Sequence, residues 1–357
     1  MQRRTQRPRI ADVAREAGVS KTAVSFAFNS PERLSAETAV RIRGIATSLG
    51  YRPHPVARLL TQRQTMTLGV LTPQALAVIF SNPFFALFSE GVAHAAEDLG
   101  YELHFISPLH GSLALAVGRA TVDGVVAIGL SGDHPEIQQI RATGLPMVLV
   151  DSDDLPEHSS VVVDDEAGAR AAAEHVLGLG HRDVLIVAVE GPALATGEHG
   201  RTGVTERRLR GYRSAFRAAG VDLADNWVVA ARASIDGGTA AFQDAWASGL
   251  RPTAVLAMSD AIAIGAMRAA RELGLHVPGD LSVVGFDDVD LAAHVDPPLT
   301  TVHQPIRQKG ADAVRLLLIE VEQRAANQPE HLRLETRLVV RGSTGPAPHQ
   351  RQEVPAA

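Results

Sequence analysis

The sequence predicts a small all-α head joined to a larger α/β body of two doubly wound lobes. Three observations carry this expectation. Two short helical patterns meet at a glycine within residues 10–29, and from Thr67 onward short apolar runs alternate with helical segments. Charge also divides between the two regions. The 357 residues carry a net −6, yet residues 1–63 hold twelve Lys and Arg against four acids, giving +8 there and −14 for the remainder. A basic head on an acidic body confines attraction for phosphate to the head.

In the head, Ile10, Val13, Ala14 and Ala17 recur at i, i+3, i+4 and i+7, the apolar stripe of one short helix. Gly18 ends it, because a residue without Cβ tolerates the left-handed backbone just past a helix C-terminus. Ser20 can cap a second helix, whose Val24 and Phe28, one turn apart, would face back onto the first. Two short helices joined by a tight glycine turn form a helix-turn-helix, and the second helix of such a unit reads DNA in the major groove. Its outward residues are Lys21, Thr22, Ser25 and Phe26. A helical hairpin in an ordinary core is the alternative, but Arg3, Arg4, Arg7, Arg9, Arg15 and Lys21 around it favour nucleic acid. Ser35 caps a third helix with Ile42, Ile45, Ala46 and Leu49 in register and Gly50 as the stop. Pro55–Leu60 has the pattern of a fourth helix, too short to be stable by itself.

In the body, Thr67–Leu71, Glu102–Ser107, Gly124–Ile128 and Pro146–Val150 read as buried parallel strands, with helices over Phe84–Leu99 and Pro135–Thr143. A second series has strands at Asp183–Ala188, Trp227–Val229, Ala254–Ala257 and Ser282–Phe286, and helices at Glu166–Leu179, Glu206–Ala219, Asp236–Ser248 and Ile262–Leu273. Two βαβ series imply two doubly wound lobes, whose ligands bind where strands end.

Composition narrows the function. There is no cysteine, so neither disulfide nor thiolate chemistry, and no legible signal peptide or membrane-length apolar run, so an intracellular, cytoplasmic protein is expected. No Gly-x-Ser-x-Gly elbow, His-Glu-x-x-His or phosphate loop is present, which argues against an enzyme. Leu177-Gly178-Leu179-Gly180-His181 closes a helix instead of following a strand, so it is not a dinucleotide turn and His181 reads as a turn residue. No cofactor or metal is implied.

Asp12-Val13-Ala14, Ala17-Gly18-Val19-Ser20, Val24-Ser25, Asn29, Leu49-Gly50-Tyr51, Pro53, Ala57-Arg58 and Leu60 together resemble the lactose-repressor (LacI/GalR) family of bacterial transcription regulators, and the likeness runs to about Gly345. It implies a head over 1–53, a hinge helix and linker over 54–65, and an effector-binding and dimerisation domain over 66–345 of the periplasmic-binding-protein type I fold. The chain would cross between lobes near Val163, Gln304 and Leu334, making lobe 1 of about 66–163 and 304–333 and lobe 2 of about 164–303 and 334–345. The polar residues 346–357 are expected to be a disordered tail with no tetramer-forming heptads. In the family, paired hinge helices enter the minor groove and a leucine at the position of Leu60 wedges into a base step; the resemblance thus adds Asn29 of the head and Ala57 and Leu60 of the hinge to the DNA-binding set. Phe26 stands where many members place a guanine-reading arginine, and His54 where asparagine is usual. A phenyl ring offers only apolar contact, for example to a thymine methyl.

The resemblance also assigns an effector cleft. Arg208, Asp287, Asp151, Ser259 and Gln304 match effector-contacting positions, and Phe84 or Phe85 matches a wall. An arginine fork, carboxylates and an aromatic face suit the vicinal hydroxyls of a sugar, each at once donor and acceptor. Asp151, Asp260 and Asp288 are equally placed to cap helices, and capping is the reading preferred for Asp260 and Asp288. Ser259 replaces the common asparagine, and the loop 191–205 is long. The expectation is a homodimeric repressor of pseudo-palindromic operator DNA, controlled by a carbohydrate. A purine, nucleoside or sugar-phosphate effector is the alternative, and a solute-binding receptor a more distant one.

Overall fold

The computed structural model describes residues 8–29, 31–51, 64–130, 134–152, 156–190, 203–323 and 328–348. The chain divides into two compact units, Met1–Thr65 and Met66–Ala357.

The first unit holds α1 (Ile10–Ala17), α2 (Lys21–Asn29), a 3-10 turn (Pro31–Arg33) and α3 (Ala36–Ser48). The Arg9 amide donates to Asp12 Oδ2 at 2.9 Å and opens α1. Gly18 closes it at φ 63. The Ser20 hydroxyl accepts from the Ala23 amide at 3.1 Å and starts α2, and Ser35 does the same for α3 through Thr38. Val13, Ala14, Ala17, Val24, Ala27, Ile42 and Ala46 form one core, and Phe28 and Tyr51, edge to face with each other, pack against it. Pro53, His54, the helix expected at Pro55–Leu60, Ala57 and Arg58 lie outside the described residues.

The second unit contains two six-stranded sheets, ordered β11-β5-β4-β3-β1-β2 and β12-β10-β9-β8-β6-β7 when its strands are numbered along the chain. Lobe 1 has β1 (Thr67–Leu71), α4 (Leu76–Ile79), α5 (Pro83–Asp98), β2 (Glu102–Ile106), α6 (Leu113–Arg119), β3 (Gly124–Ile128), α7 (Ile137–Ala142), β4 (Met147–Val150) and β5 (Ser160–Val163). Lobe 2 has α8 (Asp165–Gly178), β6 (Val184–Val189), α9 (Gly203–Ala218), β7 (Val228–Ala231), α10 (Ile235–Ala247), β8 (Ala254–Ala257), α11 (Asp260–Glu272), β9 (Ser282–Asp287) and β10 (Thr300–His303). The chain then returns to lobe 1 as α12 (Ile306–Gln323) and β11 (His331–Leu334), and ends in lobe 2 with β12 (Arg337–Val339).

All the strand pairs are parallel except β10 with β12, and central strands such as β3, β4 and β6, buried on both faces, read as continuous apolar runs. Two apolar clusters flank each sheet. Passages at Asp164, at Gln304–Pro305 and at Glu335–Thr336 carry the chain between lobes. The strands β5, β10 and β11 and the helices α4 and α6 were not legible in the sequence. Four to seven residues show too few turns or alternations for periodicity to declare itself.

His181, read as a turn residue, is buried after the Gly180 turn. Its Nε2 donates to the Gly345 carbonyl at 3.0 Å and its Nδ1 lies 3.0 Å from Thr253 Oγ1. The Ala347 amide donates to the Leu179 carbonyl at 2.9 Å. The start of the stretch expected as a loose tail is therefore bound to lobe 2 at Ala347, and 349–357 lie outside the described residues.

Candidate nucleic-acid interface and ligand cleft

Helix α2 is held from both ends and from behind. Ser20 caps its start, and the Arg43 Nε donates to the Ala27 carbonyl at 2.8 Å near its end. Val24 and Ala27 are buried in the head core. That leaves Lys21 and Thr22 exposed and Ser25 and Phe26 half-buried on the opposite side, the four residues assigned to base contact. The Arg33 guanidinium lies over the Phe26 ring, 5.2 Å from its centroid. Asn29 ends the helix.

In the second unit, the C-terminal ends of β4, β8 and β9 meet between the lobes, as the doubly wound topology requires. Asp151 follows β4 at φ 51, Ser259 follows β8, and Asp287 ends β9 at φ 129. Asp151, Ser259, Asp287, Arg208 and Gln304 are all buried. Asp151, Gln304 and Asp287 belong to one continuous polar chain whose central member the sequence reading missed. Lys309 Nζ donates to Asp151 Oδ1 and Oδ2 at 2.8 and 2.7 Å and to Gln304 Oε1 at 2.6 Å. Gln304 Nε2 then donates to Asp287 Oδ1 at 2.6 Å. The chain begins in lobe 1 and finishes in lobe 2. Phe84 lies 5.3 Å from Lys309 Nζ and edge to face with Phe85, so the aromatic wall borders the same cluster.

Lys309 had a signal. It interrupts the apolar stripe Ile306, Gly310, Ala313, Val314 and Leu317 on α12, where a lysine must be buried and therefore paired.

Arg208 is tied down by a second missed residue. Its Nε donates to Asp165 Oδ1 at 2.8 Å, its Nη1 to the Met258 carbonyl, and its Cζ stacks 3.6 Å from the Phe286 ring centroid. The neighbouring Arg207 donates to Asp165 Oδ2 at 3.0 Å, so one buried carboxylate holds two guanidiniums. Burial works against the charge of Arg208, but Asp165 and Asp287 outweigh it and hold its pKa above the usual value. Burial also pushes the Asp287 carboxyl up to about 8, against the pull of Arg208. Close approach of α8 and α9 makes this cluster possible. A Cβ on Gly211 would lie 2.3 Å from the Glu166 carbonyl oxygen.

Two capping assignments are corrected. Asp260 does not cap α11; the Ser259 hydroxyl does, accepting from the Ile262 amide at 3.2 Å. Asp260 reaches instead to the Val289 amide at 2.8 Å and to Thr301 Oγ1, pinning the turn after β9. Asp288, at φ 60, binds Arg341 at 2.6 Å and His303 Nδ1 at 2.9 Å. Both were placed at helix starts by sequence neighbours alone, and the partners that claim them are distant in sequence.

A cavity of about 540 Å³ opens between the lobes, bordered by Gln74, Asn82 and Phe85 on one side and Glu190, Arg232 and Ser234 on the other. Of the assigned residues only Phe85 is on its wall. Of the rest, Asp151, Gln304 and Asp287 are joined through Lys309, Arg208 is held by Asp165 and the Met258 carbonyl, and Ser259 caps α11. Among the described residues no group of His, Asp or Glu could hold a metal ion, and no helix is long and apolar enough to cross a membrane.

Residues 9–54 match the bacterial regulatory proteins of the lacI family, and residues 173–344 match a periplasmic binding protein-like domain. An HTH-type transcriptional regulator of Mycobacterium tuberculosis is 38% identical over 330 residues, 88% of this chain and 91% of that one. The chain belongs to the LacI family. This LacI-family regulator is similar in structure to a lac repressor dimer bound to operator and the anti-inducer ONPF, with TM-score 0.78 and 28% identity over 95% of this chain and all of that one. It is also similar to a complex of the transcriptional regulator CelR with cellobiose, with TM-score 0.70 and 30% identity over 94% of this chain and all of that one. Like these relatives it is a DNA-binding transcriptional regulator and not an enzyme.

Proposed function

We propose that the protein is a homodimeric repressor that binds a near-palindromic operator from the cytoplasm, with its grip set by a small carbohydrate in the cleft between the lobes. The observation that carries DNA reading is α2, fixed by its cap and core so that Lys21, Thr22, Ser25 and Phe26 face outward. Asn29 belongs to the same face by sequence, and 54–65 supplies the hinge, with Ala57 and Leu60 at the minor groove. Affinity should fall steeply as salt rises, since each neutralised phosphate releases counterions. A salt-independent association, or a footprint lacking two-fold symmetry, would overturn this reading.

The effector reading is supported by the polar chain between the lobes and by the cellobiose in the complex of the similar regulator CelR. A ligand hydroxyl that takes a partner from Asp151, Gln304 or Asp287 changes how lobe 1 is tied to lobe 2, which gives a route from cleft to head. Phe84 and Phe85 supply the apolar wall, and Arg208 and Ser259 the donors on the lobe 2 side. Operator titrations with and without a panel of mono- and disaccharides test it. Arg208→Ala and Asp287→Ala should each remove the sugar response while operator binding in its absence survives. A normal response in both variants would place the effector elsewhere.

A further inference from the structure

We propose that Arg33 is a base-reading residue, presented to a guanine edge in the major groove by the ring of Phe26. This rests on α2 entering that groove. Phe26 faces outward from α2 with an apolar ring, which by itself offers no hydrogen bond to any base. The 3-10 turn Pro31–Arg33 follows α2 directly and brings the Arg33 guanidinium over that ring, 5.2 Å from the centroid.

Stacking uses the flat face of a guanidinium and leaves its in-plane N–H donors free. Among the described residues, no carboxylate or carbonyl accepts from Arg33, which is exposed. Two other head arginines are engaged, Arg15 with Asp12 at 2.9 Å and Arg43 with the Ala27 carbonyl, and of the exposed ones among the described residues it is Arg33 that lies over an aromatic ring. An arginine held over a ring 5.2 Å from its centroid, with no acceptor for its donors among the described residues, can offer its fork to the paired O6 and N7 acceptors of guanine. The aromatic ring also removes rotamer freedom from the arginine before DNA arrives, so less is lost on binding. A phosphate presents a similar acceptor pair, and the experiment separates the two.

The test is a binding-site selection with full-length protein, followed by titration on the selected operator and on single-base changes in both half-sites. Wild type should prefer guanine at one symmetric position by about 5- to 150-fold, the range of one bidentate contact. Arg33→Ala should erase that preference, and Arg33→Lys, which keeps charge but loses the fork, should erase most of it. Phe26→Ala should weaken the same position, whereas Phe26→Tyr, which keeps the ring, should retain it. A uniform loss across all sequences in Arg33→Ala, with the salt slope reduced by about 1 and base preference intact, would show a phosphate contact and overturn the proposal. Base preference lost in Arg33→Ala but untouched in Phe26→Ala would overturn the role of the ring. If wild type itself selects no sequence, it is the DNA-reading assignment of α2 that fails.

Discussion

Replacing Lys309 by methionine removes the cation at the centre of the interlobe chain while keeping a side chain of similar length. Lys309 is 0% exposed and makes three hydrogen bonds of 2.6–2.8 Å, two of them to Asp151. Without it the buried Asp151 carboxylate has lost its counter-charge. Breaking one side of a buried pair typically costs about 3–5 kcal/mol, because the partner charge stays buried without compensation. With an unfolding entropy of about 2.1 cal/mol/K per residue, a unit of about 290 residues has roughly 0.6 kcal/mol/K, so the loss corresponds to about 5–8 °C in the Tm of the second unit. Scanning calorimetry of wild type and Lys309→Met reads this directly. Adding Asp151→Asn to Lys309→Met removes the orphaned charge, and asparagine tolerates the φ of 51 at that position. The double variant should therefore recover much of the Tm. A single variant within about 1 °C of wild type, or a double variant no better than the single, would refute the reasoning.

Ser20→Ala leaves the first turn of α2 uncapped and should destabilise the head by about 1 kcal/mol, measured by amide hydrogen exchange in α2 against Ser20→Asp, which restores an acceptor. Gly211→Ala puts a Cβ against the Glu166 carbonyl, so α8 and α9 must separate; a loss of about 1–3 kcal/mol in denaturant unfolding is expected, together with loss of the sugar response that depends on Arg208. Asp287 has its pKa raised in the fold, so the native state holds a proton that the unfolded chain has released above about pH 4. Its contribution to stability is present below that pH and is lost as pH rises through about 8. Asp287→Asn should flatten that decline, and an unchanged slope of Tm against pH would show that another group titrates.

What the sequence determined by itself was everything set by neighbours within one or two turns. Gly18, Ser20 and Ser35 punctuate the head because a left-handed C-terminus and a side-chain cap are local requirements. The long strands and helices of the body announce themselves by runs and periods within their own residues, whereas Ser160–Val163 is too short to do so. The charge split and the family motifs made the DNA-binding assignment legible in the same way. Tertiary structure decided which buried charged groups meet. Asp151 and Lys309 are separated by 158 residues and Asp165 and Arg208 by 43. Asp260 and Asp288 both look like caps from their neighbours, yet their carboxylates go to Val289, Thr301, His303 and Arg341. A cap is a contact within three residues and can be read along the chain. A buried charge selects its partner through desolvation, and that choice exists only once two sheets and three crossings have brought distant residues together.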